Sequence, residues 1–310
     1  MSNYLKGVLL AGSTGLMWAL TTPITKLMWG EGVMIASSVL LRMVIVVLAI
    51  GCFLLLKHPD QLRVRGKDLA VLFFSAIGPT GLYLGFLLSV VYLNVATAVV
   101  LHYTFPVVTA LCSSLVTGEK TKCSDWAAAL LVTAGVACSV LTTEWKLNTA
   151  IDIRGILWGL LAVVGLASET LLGRASFTKG GMSNWAQFFY SHFFGIFWIS
   201  IYITYVGSWH NFAELSVYGW ALMLTPCFIG CLLGYTAYYA SLRFIPAAIA
   251  SLSASVEIIG AVGLTSMITE ILPTVPEMAG CALIFAAIVL IFLFRSHDSG
   301  VPASRSAVRP

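Results

Sequence analysis

Charge is what this chain has least of. Of 310 residues, only 10% are Asp, Glu, Lys or Arg, against about 25% in a soluble domain. Apolar residues make up 59%, and mean hydropathy is +0.94. Such a chain cannot show water an ordinary surface, which excludes a soluble globular protein and implies an integral membrane protein. No basic run is present, so no nucleic-acid partner is expected. The seven cysteines lie mostly in apolar runs, with neither paired metal spacing nor a disulfide framework. No metal and no cofactor is therefore expected, and Cys227 and Cys231, on one helical face, read as small core residues. The motifs G-x-x-x-x-G-K-S/T, H-E-x-x-H and G-x-S-x-G are missing. So is any carboxylate pair at short spacing within a span, or a loop resembling a channel filter. These absences argue against a nucleotide-driven pump, an enzyme and a channel.

What the chain does have is long apolar runs separated by short polar breaks. Ten are placed at 5–27, 33–56, 68–92, 95–116, 124–142, 153–177, 182–206, 217–242, 247–268 and 275–294. The first is too long for a signal h-region and lacks a small-residue cleavage site at a fitting distance, so it counts as a span. None alternates with a period of two, so the spans are helices rather than barrel strands. The fold class is all-α, a polytopic membrane protein. The tail 295–310, rich in Ser, Pro and Arg, reads as disordered.

Lysine and arginine give an orientation. With the N-terminus in the cytoplasm, that side holds Lys6, Lys57, Arg63, Arg65, Lys67, Lys120, Lys122, Arg174, Lys179, Arg243, Arg295, Arg305 and Arg309. The other side holds only Lys26, Lys146 and Arg154, and Arg42 lies inside a span. This is a strong positive-inside bias. It predicts both termini in the cytoplasm and a cell (inner or plasma) membrane location.

The two halves resemble each other. An offset of 151 residues pairs Ala96 with Ala247, Pro106 with Glu257 and Glu119 with Glu270. An offset of 148 pairs Gly7 with Gly155, Thr21 with Glu169 and Lys26 with Arg174. Gly81-x-x-x-Gly85 has an echo in Gly230-x-x-x-Gly234 at an offset of 149. Five spans per half is an odd number, so the second copy is inverted. The expected units are 1–149, 150–294 and the tail 295–310. Inverted repeats with a site between them near the midplane are a transporter architecture.

The five-plus-five layout, Pro106 followed by Gly118 and Glu119 at the exit of span 4, and Arg42 in span 2 resemble the drug/metabolite transporter superfamily of the EamA type. The resemblance covers about residues 5–294. GPTG at 78–81, SET at 168–170 and GYTAYYASLRFIPA at 234–247 also resemble the bacterial choline-uptake branch. That resemblance implies a Trp late in span 1 and a Glu in span 6 holding a quaternary ammonium, and Trp18 and Glu169 match those positions. The branch tends to have Trp where this chain has Leu166, and Arg42 is closer to the general family.

Glu169 is the leading candidate. A carboxylate deep in an apolar span is a functional group by default, here a counter-charge for a cationic cargo or a proton carrier. Aromatics come next, because a quaternary ammonium lacks an N–H donor and is held by ring faces and charge. Trp18, Tyr83, Tyr103, Tyr235 and Tyr239 are the candidates, with Glu257 in span 9 as a second acid. Tyr235 and Tyr239 share a helical face. An ion pair between Arg42 and Glu257 is open, and His102 and His192 read as packing residues. Pro23, Pro79, Pro106 and Pro226 mark kinks. The two glycine pairs fit close packing and a moving interface equally well.

The expectation is a secondary or potential-driven carrier in the bilayer, importing a small organic cation such as choline by alternating access. Proton coupling is left open. The alternative is an exporter of amino acids or other small metabolites or drugs, toward which Arg42 and Leu166 lean.

Overall fold

The computed structural model describes residues 3–64, 66–93, 95–139, 141, 144, 152–179, 182–269 and 272–296. All but the first two residues of the expected tail (297–310), Arg65, Trp145, Lys146, Glu270 and the 149/150 boundary lie outside them. So do the side chains of Pro23, Lys26 and Trp29.

The described residues are almost wholly helical. In chain order the helices are α1 (Asn3–Gly30), α2 (Ile35–Lys57), α3 (Gly66–Ser75), α4 (Ile77–Tyr92), α5 (Val95–His102), α6 (Phe105–Val116), α7 (Cys123–Ser139), α8 (Ile153–Thr178) and α9 (Asn184–Val206). They continue with α10 (Asn211–Glu214), α11 (Val217–Pro226), a π-helical segment (Cys227–Gly234), α12 (Tyr235–Ser241), α13 (Ala247–Ala254), α14 (Val256–Thr269) and α15 (Val275–Ser296). Apart from α10, which lies in the link between spans 7 and 8, these elements fall on the ten expected spans with ends shifted by a few residues. Among the described residues, six segments are each long and apolar enough to cross a bilayer: 35–57, 68–92, 153–178, 184–206, 217–241 and 247–264. Outward faces carry Leu48, Leu115, Leu157, Val164, Phe197 and Phe285, all exposed. Such faces would aggregate in water and suit hydrocarbon.

Helix ends follow local chemistry. Thr274 and Glu277 form a capping box at α15: Glu277 Oε2 accepts from the Thr274 N–H at 2.6 Å, and Thr274 Oγ1 accepts from the Glu277 N–H at 3.4 Å. Ser183 caps α9 and Ser216 caps α11. Gly207, at φ 70°, ends α9 in the left-handed region that favours glycine. Asp152 caps α8 and pairs with Arg154 at 2.6 Å. Hydrogen bonds from Arg154 hold that carboxyl below the usual range.

Among the described residues, spans 4 and 9 are both interrupted near mid-span, and the repeat relates the two interruptions. Span 4 breaks at Tyr103–Thr104, just before Pro106. Span 9 breaks at Ser255, just before Glu257. The 151-residue offset superposes these breaks. Neighbour relations repeat in the same way. α1 packs on α13 and α14 as α8 packs on α5 and α6, and α8 packs on α4 as α1 packs on the π-helical segment and α12. α2 pairs with its counterpart α9, and α7 with α15. Two five-span repeats, the second inverted, produce this pattern.

Glycines set how closely the central helices approach. A Cβ on Gly85 would meet Trp158 O at 2.5 Å and Ala162 N at 3.1 Å, and one on Gly165 would collide with Gly78 O. α4 and α8 therefore touch backbone to backbone. Around this seam lies the aromatic core, including Tyr83, Phe188, Tyr235, Tyr238 and Tyr239.

Candidate functional site

Glu169 sits on the inward face of α8 and is 2% exposed. The Tyr239 hydroxyl donates to its Oε2 at 2.6 Å, the length of a charge-assisted bond. Among the described residues no cation lies within ion-pair distance of it. The neighbouring Thr170 shares a 2.9 Å hydrogen bond with the Tyr238 hydroxyl, a second link from α8 to α12. Phe188, on α9, stacks on Tyr239 with centroids 4.4 Å apart and lies 6.4 Å from Tyr235. His192, one turn further along α9, meets Phe188 edge-on at 4.8 Å.

Tyr83 joins this wall from α4. Its ring is 5.7 Å from Tyr235, edge to face, and its hydroxyl is 3.2 Å from His192 Nε2. His192 Nδ1 faces the Phe188 carbonyl at 3.0 Å. A carbonyl only accepts, so Nδ1 carries the hydrogen and Nε2 accepts from Tyr83. The pair is thereby fixed in one arrangement.

Trp18 closes the wall from α1. Its ring lies 5.0 Å from Tyr235 and 5.6 Å from Tyr238. Its indole N–H donates to the Gly230 carbonyl at 3.1 Å, and Thr14 Oγ1 donates to the Gly234 carbonyl at 3.0 Å. Both acceptors belong to the π-helical segment. Pro226 has no N–H for the regular ladder, and the helix runs on from it in the wider π form. Side chains from α1 then bond to carbonyls of that segment.

Arg42, on α2, holds its guanidinium carbon 6.0 Å from the centre of the Tyr83 ring. Cys227 and Cys231 are its other neighbours. Its Nε is buried without a hydrogen-bond partner. The ion pair with Glu257 that the sequence leaves open is not formed: Arg42 sits beside the Tyr83 ring, and among the described residues no carboxylate bridges to it.

Tyr103 and Glu257 belong to a second cluster. Tyr103 is 3% exposed, with its ring near His102 and Phe105. Its hydroxyl lies against the carboxyl of Glu257, which is half-buried in the first turn of α14, and among the described residues meets no other partner. Tyr235 stands between the clusters, within electrostatic reach of both Glu169 and Glu257.

One end of the bundle is tied by ions. Arg174 Nη2 and Nε both donate to Glu119 Oε1, at 2.6 and 3.0 Å, and Nη1 donates to the Leu242 carbonyl at 2.6 Å. This links the ends of α8, α6 and α12.

Of the seven candidates from the sequence, Trp18, Tyr83, Tyr235 and Tyr239 thus share a wall with Glu169, and Tyr103 and Glu257 sit apart. Sequence reasoning missed Phe188 and left His192 as packing. Their four-residue spacing on α9 was the available signal, but an aromatic pair in an aromatic-rich span does not announce which face it takes.

Comparison with known proteins agrees with this architecture. The EamA-like transporter family model matches twice, at residues 5–141 and 153–293, once per repeat. An uncharacterized transporter of Bacillus subtilis (strain 168), YxxF, is 24% identical over 210 residues, spanning 68% of this chain and 65% of that protein. The chain therefore covers just under two thirds of that relative's length. A solved crystal structure, 16% identical, superposes with a TM-score of 0.72 over 94% of this chain and 98% of its own. At that identity the likeness speaks for the fold alone. With both repeats matched over most of the sequence, the chain belongs to the EamA-like transporter family.

Proposed function

We propose that this transporter carries a small organic cation, with a quaternary ammonium such as choline as the probe cargo. The observation that carries this reading is the Glu169 carboxyl, buried, without a protein cation among the described residues, and walled by Trp18, Tyr83, Phe188, Tyr235 and Tyr239. A cargo cation supplies the missing charge, and each ring face adds roughly 0.5–2 kcal/mol. The positive-inside bias supports a cytoplasmic position for the Glu119–Arg174 tie, where it would close that end while the site is reached from outside. Inward movement of a cation gains about 2.3 kcal/mol per 100 mV of inside-negative potential, so the potential alone is enough to drive import.

Arg42 favours a second reading. A guanidinium beside Tyr83, with no carboxylate partner among the described residues, suits the carboxylate of a zwitterion whose ammonium sits at Glu169. Cargo would then be an amino acid or betaine, and export becomes the natural direction.

Proteoliposomes holding a potassium gradient separate these. Adding valinomycin to make the lumen negative should accelerate uptake of labelled choline several-fold. Excess unlabelled choline should compete, and amino acids should not. Choline uptake that ignores the potential and is blocked by amino acids would reject the cation reading in favour of the zwitterion.

A further inference from the structure

We propose that Glu257 and Tyr103 form a second site, apart from the cargo wall, that takes up and releases one proton in each transport cycle. This rests on the reading of the chain as a carrier but not on which cargo it carries.

The site lies where the two repeats meet. Glu257 follows the break in span 9, and Tyr103 stands at the repeat-related break in span 4. Broken helices at a repeat interface are where transporters hold coupling ions, because backbone freed from the helix ladder must line a protein cavity. Glu257 is half-buried at that depth, the Tyr103 hydroxyl is set against its carboxyl, and among the described residues no cation pairs with it. A carboxylate at membrane depth with no cation beside it is costly, which favours the neutral acid. Tyr103, 3% exposed, holds its hydroxyl against that carboxyl and has no other partner among the described residues. Its oxygen can accept from the acid, and its O–H can donate to the carboxylate once the proton has left. Glu169 differs, since the Tyr239 hydroxyl already occupies its Oε2.

The surroundings favour a proton over a metal cation. α1 presents Gly15, Leu16 and Ala19 to α14, none of them ionisable. The span-4 break contributes Tyr103, and α12 contributes Tyr235. On α15, Glu277 is tied into its own cap with Thr274, and Cys281 lies beside Glu277. One carboxyl and a hydroxyl are too few oxygens for a hard cation, and among the described residues no cluster of His, Cys, Asp and Glu could hold one.

The two sites are mechanically joined. Gly15 of α1 presses on the span-9 break, where a Cβ would collide with Ala254 O and lie 2.9 Å from Glu257 N. Three residues further along α1, Trp18 lines the cargo wall. A shift of α1 that opens the wall therefore moves against Glu257. The proton balance is simple: Glu257 binds one proton from the side it faces and releases it to the other, with no further reactant.

The test uses the full chain and two readouts. In vesicles loaded with a pH dye, choline uptake by the wild type should move one proton per choline. At equal choline flux, Glu257→Gln should move none. Infrared difference spectroscopy on the cargo-free protein gives the second readout. A protonated-acid carbonyl band that titrates with pH should be present in the wild type and in Glu169→Gln, and missing in Glu257→Gln. Should Glu257→Gln fail to fold, Tyr103→Phe should shift the pH at which the band titrates. A band that persists in Glu257→Gln, one that responds to sodium instead of pH, or a titration unmoved in Tyr103→Phe would overturn the proposal. Failure to transport choline, with the infrared result intact, would count against the choline reading alone.

Discussion

Spans 3 and 8 occupy equivalent places in the two repeats and carry the same small-residue pair, yet they do different things with it. In span 3, Gly81 and Gly85 lie on a regular helix and press into α8, against Leu161 and the Trp158 carbonyl. In span 8, Gly230 and Gly234 lie on a π-helical stretch and meet the side chains of Thr21 and Trp18. One contact is backbone on backbone. The other is lined with side chains, and its carbonyls bond across to α1. The same spacing thus makes a rigid seam in one repeat and a flank of the aromatic wall in the other. Local winding after Pro226, rather than the glycine motif itself, separates the two uses.

Substitutions can break that contrast. The largest effect is expected at the seam. Gly85→Leu has nowhere to go, since even its Cβ meets backbone at 2.5 Å on a helix that cannot give locally. Overpacking of about 1–3 kcal/mol or more should leave little folded protein, as read by size-exclusion yield and thermal unfolding in detergent. Gly230→Ala meets only Thr21 Cγ2, at 3.0 Å, and should unfold within a few degrees of the wild type. Equal losses at both positions would remove the distinction between seam and flank.

Next in size is Trp18→Ala. It deletes ring contacts to Tyr235 and Tyr238 and the bond to Gly230. Loss of cation–π contact worth roughly 0.5–2 kcal/mol should weaken choline binding several-fold to about thirtyfold by calorimetry. Phe should recover part of this at position 18, having a ring but no N–H. A smaller effect is expected at Arg174→Gln. The pair with Glu119 is partly exposed, at 12% and 22%, so its contribution is about 1 kcal/mol or less. Its removal should lower thermal stability slightly and raise labelling of a cysteine placed at Leu242.

Much of this contrast was legible in the sequence, and some was not. Apolar runs fixed where helices begin and end to within a few residues, because bilayer depth demands a minimum length. The span-4 break was marked by Pro106. The span-9 break has no proline, and only the repeat offset, which sets Glu257 against Pro106, points at it. Pro226 announced a kink, but a kink does not say that the chain will continue as a π-helix. The pairing of Tyr239 with Glu169 depends on that widened turn and could not be read from spacing. Nor could the place of Arg42 beside Tyr83, since they lie on α2 and α4 at a separation no linear pattern relates.

Binding of choline to purified Glu169→Gln, set beside the wild type, tests the cargo site most directly. Removing the charge while keeping the shape of the side chain should cost about 1.5–3 kcal/mol, the worth of a charged hydrogen-bonded contact, or roughly ten- to a hundredfold in Kd. The unfolding temperature without choline should hold or rise. Wild-type affinity in that variant would contradict the assignment of Glu169 as the cation's counter-charge.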